Sequence, residues 1–267
     1  MTHSIDEPSP LERYGHNLTQ LAQQGVFLPL AGSEAIVASI FKVLLRRENS
    51  TKRYQYNPIV LDLEGTSRWP VIAEVIRRMA IGDAPDPLPT RQVIALDYEA
   101  LLARTSEDEA AFKLATTAPS LPEEDDPALD EIKTWEDFEQ FFKKYFPKGL
   151  WPPLEEWVAP DVVMQRLQAL FLAVRQSEGQ VLLFIDHFHR LLGGEPDRYP
   201  IHAFSLLKPT LARGEIQLIG ACTLAEFRRW IEREQSLLRR WQTVCLPDTW
   251  DELERLRAQR ASAQQGQ

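Results

Sequence analysis

Cysteine is scarce in this chain: two in 267 residues, Cys222 and Cys245. Two thiols cannot build a disulfide framework or a multi-cysteine zinc site. Long apolar runs are missing as well. The stretches 169–174 and 181–185 fall far short of the ~20 residues that cross a bilayer. Residues 1–10 are polar and acidic, with no apolar stretch to direct secretion, so the expected compartment is cytoplasmic. Positive charge is in deficit, with 30 Lys and Arg against 39 Asp and Glu and a net charge of −9. Nucleic acid and anionic membranes ask for a basic face that displaces phosphate counterions, so neither is expected as a partner. A G-x-S-x-G elbow and a Cys–His nucleophile signature are also absent, which leaves covalent hydrolysis without support. What is present, 44% hydrophobic and 26% charged residues, is the material of an ordinary globular core.

The acidic charge is concentrated. Residues 123–139 hold nine acids and one base, Lys133, close to the whole net charge, and Pro119, Pro122, Pro127, Pro147, Pro152, Pro153 and Pro160 surround them. The stretch 106–160 therefore reads as an insertion in a regular core. Within it Trp135, Phe138, Phe141, Phe142, Tyr145 and Phe146 recur at helical spacing. Such a face packs on its own protein or docks on a partner groove, and Trp135, Phe138, Phe142 and Tyr145 are the docking candidates. Elsewhere, apolar runs at 59–63, 92–96, 181–186, 216–221 and 243–246 read as buried parallel strands. Helical periodicity over 71–81, 162–176, 202–213 and 224–234 separates them. Alternation of this kind implies crossover units and a parallel sheet with both faces covered. Ligands then bind beyond the carboxyl ends of the strands, which directs attention to the turns after Leu63, Ile185 and Ala221. Beyond residue 251 a polar, Gln-rich tail follows.

Several runs resemble the first AAA+ module of the ClpA, ClpB and ClpC unfoldases. Leu11-Glu-Arg-Tyr-Gly-His-Asn-Leu-Thr with Leu21-Ala-Gln-Gln-Gly is similar to the start of that module. Ser177-Glu-Gly-Gln-Val-Leu-Leu-Phe-Ile-Asp-His-Phe-His falls where the family has its Walker B strand. Leu207-Lys-Pro-Thr-Leu-Ala-Arg-Gly-Glu-Ile and Ile219-Gly-Ala-Cys-Thr-Leu-Ala-Glu-Phe-Arg resemble the segment leading into sensor 1, and Leu238-Arg-Arg-Trp-Gln the arginine-finger segment. Five runs in family order cover about residues 11–104 and 161–247. The resemblance implies a P-loop NTPase-like (AAA+) α/β fold: three αβα layers, a five-stranded parallel sheet, and the acidic, aromatic, mainly helical insertion. The 267 residues are expected to form a single degenerate large subdomain. The small helical lid with its sensor-2 arginine, a second AAA ring and an N-terminal substrate domain are expected to be missing.

At the family's nucleotide-site positions the residue types change. A P-loop uses glycines to wrap backbone N–H groups round phosphates, a lysine to reach them, and a hydroxyl to hold magnesium. Gap-free alignment puts that motif on Asp62-Leu-Glu-Gly65-Thr-Ser67-Arg68-Trp69. Asp62 and Ser67 replace glycines, Arg68 replaces the lysine, and Trp69 replaces the hydroxyl with an indole that has no oxygen. In the Walker B segment Asp186 remains, while the water-activating glutamate has become His187. The family's pore-loop tyrosine has no counterpart near Ala159 and Pro160. Gly65 and Arg68 could hold an anion at the start of the following helix; alternatively Arg68 pairs with Asp62, Glu64 or Asp186. Thr223 sits at the sensor-1 tract or simply caps the next helix. Arg239 and Arg240 match the arginine finger that reaches a neighbouring subunit, or form a solvated basic helix end. Asp186, His187 and His189, with His202 further on, suggest a metal, but no fourth ligand is evident and none is expected.

On this reading the chain is a pseudo-ATPase with no catalytic residues and no cofactor. It would serve as a protein-interaction or regulatory component, with itself or a Clp-type ATPase as partner. The competing expectation is a weak ATP-binding or ATP-hydrolysing chaperone subunit using Arg68 and Asp186.

Overall fold

The computed structural model describes residues 8–46, 56–64, 67–103, 158, 160–193, 201, 203–247 and 249. The insertion candidates Trp135, Phe138, Phe142 and Tyr145, together with Gly65, His202 and the tail 251–267, lie outside the described residues.

Six strands form one sheet in the order β1-β3-β4-β5-β2-β6. They are β1 (Gly15–Asn17), β2 (Asn57–Asp62), β3 (Gln92–Leu96), β4 (Val181–Ile185), β5 (Leu218–Thr223) and β6 (Trp241–Cys245). All neighbours from β3 to β6 run parallel. Every side chain of β2 and β4 is buried, as the near-continuous apolar runs of a sheet covered on both faces require. Alternation within the strands sorts residues to two cores. Ile59, Leu61, Leu183, Ile185 and Cys222 face one, and Val60, Leu182, Phe184 and Ala221 the other.

The expected five strands become six. The extra one, β1, pairs antiparallel with β3, Gly15 opposite Leu96. Its Gly-His-Asn sequence has no apolar alternation to announce a strand. Glycine is needed there: a Cβ on Gly15 would lie 2.5 Å from Ile94 Cγ2 and 2.9 Å from the Leu11 carbonyl oxygen.

The helices that matter here are α1 (Glu34–Leu45), α2 (Trp69–Ala80), α3 (Pro160–Gln176), α4 (Phe204–Ala212) and the single turn α5 (Leu224–Glu226). Val37, Ile40, Phe41 and Leu44 of α1, and Val71, Ile72, Val75, Ile76 and Met79 of α2, cover one face of the sheet. Leu167, Leu170, Phe171 and Val174 of α3, with Leu207 and Leu211 of α4, cover the other. The helix expected over 224–234 runs from Leu224 to Ile231, beginning as α5 and continuing as a π-helix over Phe227–Ile231. Glu74 is 1% exposed on α2. It accepts hydrogen bonds from Arg77 Nε (2.7 Å), Arg77 Nη2 (2.9 Å), Arg78 Nε (2.6 Å) and the Leu30 amide (3.3 Å).

Candidate functional site

The carboxyl ends of the adjacent strands β4, β5 and β2 bring four titratable groups together. Asp62 ends β2, and Asp186 and His187 follow β4. Thr223 ends β5 and caps α5, whose last residue is Glu226. Arg68 enters from the loop between β2 and α2, directly before the helix.

Arg68 is clasped between two aspartates. Its Nη1 donates to both Asp62 oxygens at 2.9 and 3.0 Å, and its backbone N–H to Asp62 Oδ2 at 3.2 Å. Nε donates to Asp186 Oδ1 at 2.7 Å, and Nη2 lies 2.5 Å from the same oxygen. Arg68 is 8% exposed and Asp62 1%. Burial pushes the Asp62 carboxyl above its ordinary range despite the Arg68 charge. Burial works against the Arg68 cation too, but the two aspartates outweigh it and hold the guanidinium charged. The guanidinium fork suits this task, with several donors fixed in one plane against two acceptors. Of the three partners foreseen for Arg68, Asp62 and Asp186 are engaged, whereas the Glu64 side chain is exposed.

Ser67 is exposed and Trp69 is 41% exposed. The Trp69 ring packs against Phe27 (6.1 Å between centroids, 89°) and Phe184 (6.0 Å, 45°). The indole is thus held by aromatic contacts and has no oxygen to offer a metal.

His187 begins a second cluster. Its backbone is left-handed, φ 46° and ψ 46°, and its N–H donates to Asp186 Oδ1 at 2.8 Å. Nε2 lies 3.4 Å from Arg68 Nη2 and 4.0 Å from Asp186 Oδ2. Nδ1 lies 3.7 Å from Glu226 Oε1, and Nδ1 of the fully buried His189 lies 3.4 Å from Glu226 Oε2. Glu226 is fixed by a reciprocal cap: its N–H donates to Thr223 Oγ1 at 3.2 Å, and the Thr223 N–H donates to its Oε2 at 2.7 Å. Glu226 raises the His187 pKa, against burial and Arg68 and with help from Asp186. Burial alone would raise Glu226, but His187, the Thr223 amide and His189 together hold it down at about 2.

Glu226 is the site residue that the sequence left unmarked. It stands 37 positions after His189, and only the Thr-x-x-Glu capping pattern could have placed its carboxylate at a strand end. Arg239 and Arg240 are not part of the cluster. They precede β6, and the Arg240 carbonyl accepts from the Asn57 N–H at 2.9 Å. Asn57 starts β2 while Asp62 ends it, so this pair lies at the opposite end of the sheet.

The sequence and fold are similar to those of known proteins. The chain is 30% identical over 234 residues to the chaperone protein ClpB of Gloeobacter violaceus, covering 88% of this chain and 20% of that protein. It is 31% identical over 256 residues to ClpB 2 of Parasynechococcus marenigrum, covering 95% and 22%. The chain belongs to the Clp family. It spans about a fifth of the length of these curated relatives. No protein-family model matches it. Among solved structures it resembles Hsp104 in a closed-state cryo-EM reconstruction with ATPγS and FITC-casein. The TM-score is 0.56 and the identity 25%, over 89% of this chain and 30% of that one. The Saccharomyces cerevisiae Hsp104–ADP complex gives a TM-score of 0.54 at 24% identity and shares the fold. The α/β architecture is therefore that of Clp-type AAA+ proteins, with one strand more than foreseen.

Proposed function

We propose that this Clp-family module does not turn over ATP and acts as a protein-interaction or regulatory component of a Clp-type assembly, paired with itself or with an intact AAA+ subunit. The observation that carries this reading is the Arg68 clasp. The Walker B aspartate of the family, Asp186, is engaged by a guanidinium rather than facing a vacant metal position, and Asp62 adds a buried carboxylate where a phosphate would need donors. Two carboxylates repel a polyphosphate, and Trp69 brings no hydroxyl to a magnesium ion. These residues do not fit a magnesium nucleotide. His187, at the family's glutamate position, is turned toward Glu226 and Arg68. The exposed Arg239 favours a role in trans, since it lies away from this chain's own site and in the family an arginine of this segment completes a neighbour's site. No nucleic acid or membrane is proposed as a partner.

The test is ATP hydrolysis by the purified chain with magnesium, together with calorimetric titration of ATP and ADP. The expected results are no turnover above background and no saturable heat. Turnover near one per second, ordinary for an enzyme, would overturn the proposal. So would saturable binding that Asp186→Ala abolishes, which would establish the ATP-binding chaperone subunit instead.

A further inference from the structure

The geometry points to a second site beside the clasp: His187, His189 and Glu226 bind a divalent transition ion of the zinc class. The two imidazoles arrive from one turn, His187 in its left-handed conformation and His189 two residues on in the 3-10 turn Phe188–Leu191. The carboxylate arrives from α5, beyond the neighbouring strand β5. One ligand atom of each residue lies within 4.8 Å of the others.

The distances suit a tetrahedral ion. Ligands about 2.0–2.2 Å from zinc stand roughly 3.4 Å from one another. The Glu226 oxygens already lie 3.4 Å from His189 Nδ1 and 3.7 Å from His187 Nδ1. The rings meet at 77° with centroids 5.8 Å apart, so their nitrogens can converge on one point without stacking. Two imidazoles and an ionised carboxylate form a donor set that zinc and its late first-row neighbours accept. Three protein ligands leave a fourth position for water or a partner's group.

The surroundings supply orienting contacts as well. Ligation through Nδ1 of His187 places its proton on Nε2, which faces Asp186 Oδ2 at 4.0 Å and Arg68 Nη2 at 3.4 Å. An N–H there is repelled by the guanidinium and drawn to the aspartate, so ion binding turns the ring toward Asp186. A carboxylate behind a metal-bound imidazole is the usual outer-shell arrangement. Glu226 is already oriented by the Thr223 amide. The competing account is a proton on His187 Nδ1 held by Glu226, with no ion.

The experiment takes the full chain stripped with a chelator and titrates it with zinc alone by calorimetry. Cobalt(II) serves as the spectroscopic probe. One zinc per chain is expected, with visible cobalt bands of a four- or five-coordinate ion. His187→Asn keeps a residue that tolerates the left-handed backbone, and Glu226→Gln keeps the cap; each should weaken binding at least tenfold. A measurement needing no variant runs alongside: acylation of the half-exposed His187 by diethylpyrocarbonate, located by mass spectrometry, from which zinc should protect it. No saturable binding below about 100 µM, equal affinity in both folded variants, or no protection of His187 would each overturn the site. No nucleotide is present in these assays, so their outcome is separate from that of the ATP test.

Discussion

Replacing Arg68 with alanine would leave Asp62, 1% exposed, without its counter-charge. Breaking a buried pair from one side is costly because the surviving group keeps its desolvation penalty. Arg68→Ala should therefore destabilise by about 3 kcal/mol, a fall of roughly 6–12 °C in Tm for a chain of this size. The double variant Asp62→Asn with Arg68→Ala should lose less than the two single losses added, with a coupling of at least ~1 kcal/mol. Thermal melts of the three variants decide it, and additive losses would mean that the clasp is not a coupled unit. This part of the site was legible beforehand, since Asp62 and Arg68 are six positions apart on a recognisable loop. The other part was not. The contacts of Glu226 with His187 and His189 exist only because β4 and β5 lie side by side, an adjacency that no local pattern encodes.

Helix α2 is held at its middle by a charge rather than by apolar packing alone. Hydrogen bonds from Arg77 come first; burial opposes them, and Arg78 and the Leu30 amide add to them, keeping the Glu74 carboxyl down at about 2. A carboxyl whose folded pKa lies below its unfolded value, about 4.3, stabilises the fold above that value and loses the effect as pH falls toward 2. Glu74→Gln should thus be less stable than the parent at pH 7 by about 1–3 kcal/mol, and the gap should close between about pH 4.5 and 2. Chemical denaturation across that range is the measurement; a gap unchanged at pH 2.5 would remove the ionic account. The helix itself was expected from its periodicity. Its buried glutamate was not: Arg77 and Arg78 lie within one helical turn of it, but its burial beside the Leu30 amide, 44 residues earlier, is a tertiary contact. The element after β5 shows the reverse difficulty: its apolar spacing suggested an ordinary α-helix, and the backbone stays helical but widens to π spacing over Phe227–Ile231 after one α turn.

Across the whole molecule, two apolar cores sandwich the sheet, and each is filled by residues of the described strands and helices. β3 before the insertion and α3 after it are both anchored, Ile94 and Leu170 sharing one core. Deleting residues 121–151 should accordingly leave the parallel core folded, since loop-closure entropy changes by only ~0.6 kcal/mol per doubling of length. A melt shifted by no more than a few degrees, with lost binding to a protein partner, is the outcome expected if the aromatic face docks elsewhere. A collapse in Tm would mean that those aromatics belong to this core, at about 1.5–3 kcal/mol for each large side chain exposed. The layer order was readable from alternating strand and helix patterns, which are local. The edge strand β1 escaped because three residues of Gly-His-Asn owe their pairing to β3 rather than to themselves.

The clasp also determines how this loop can be re-engineered. Asp62→Gly alone strips Arg68 of the partner that accepts three of its bonds, and Arg68→Lys alone withdraws the planar fork from two aspartates. Trp69→Thr alone opens the aromatic contact with Phe27 and Phe184. Each step toward a phosphate-binding loop descends before it can rise. A working loop grafted here is best exchanged as one unit, because each single step leaves a contact of the present loop broken from one side.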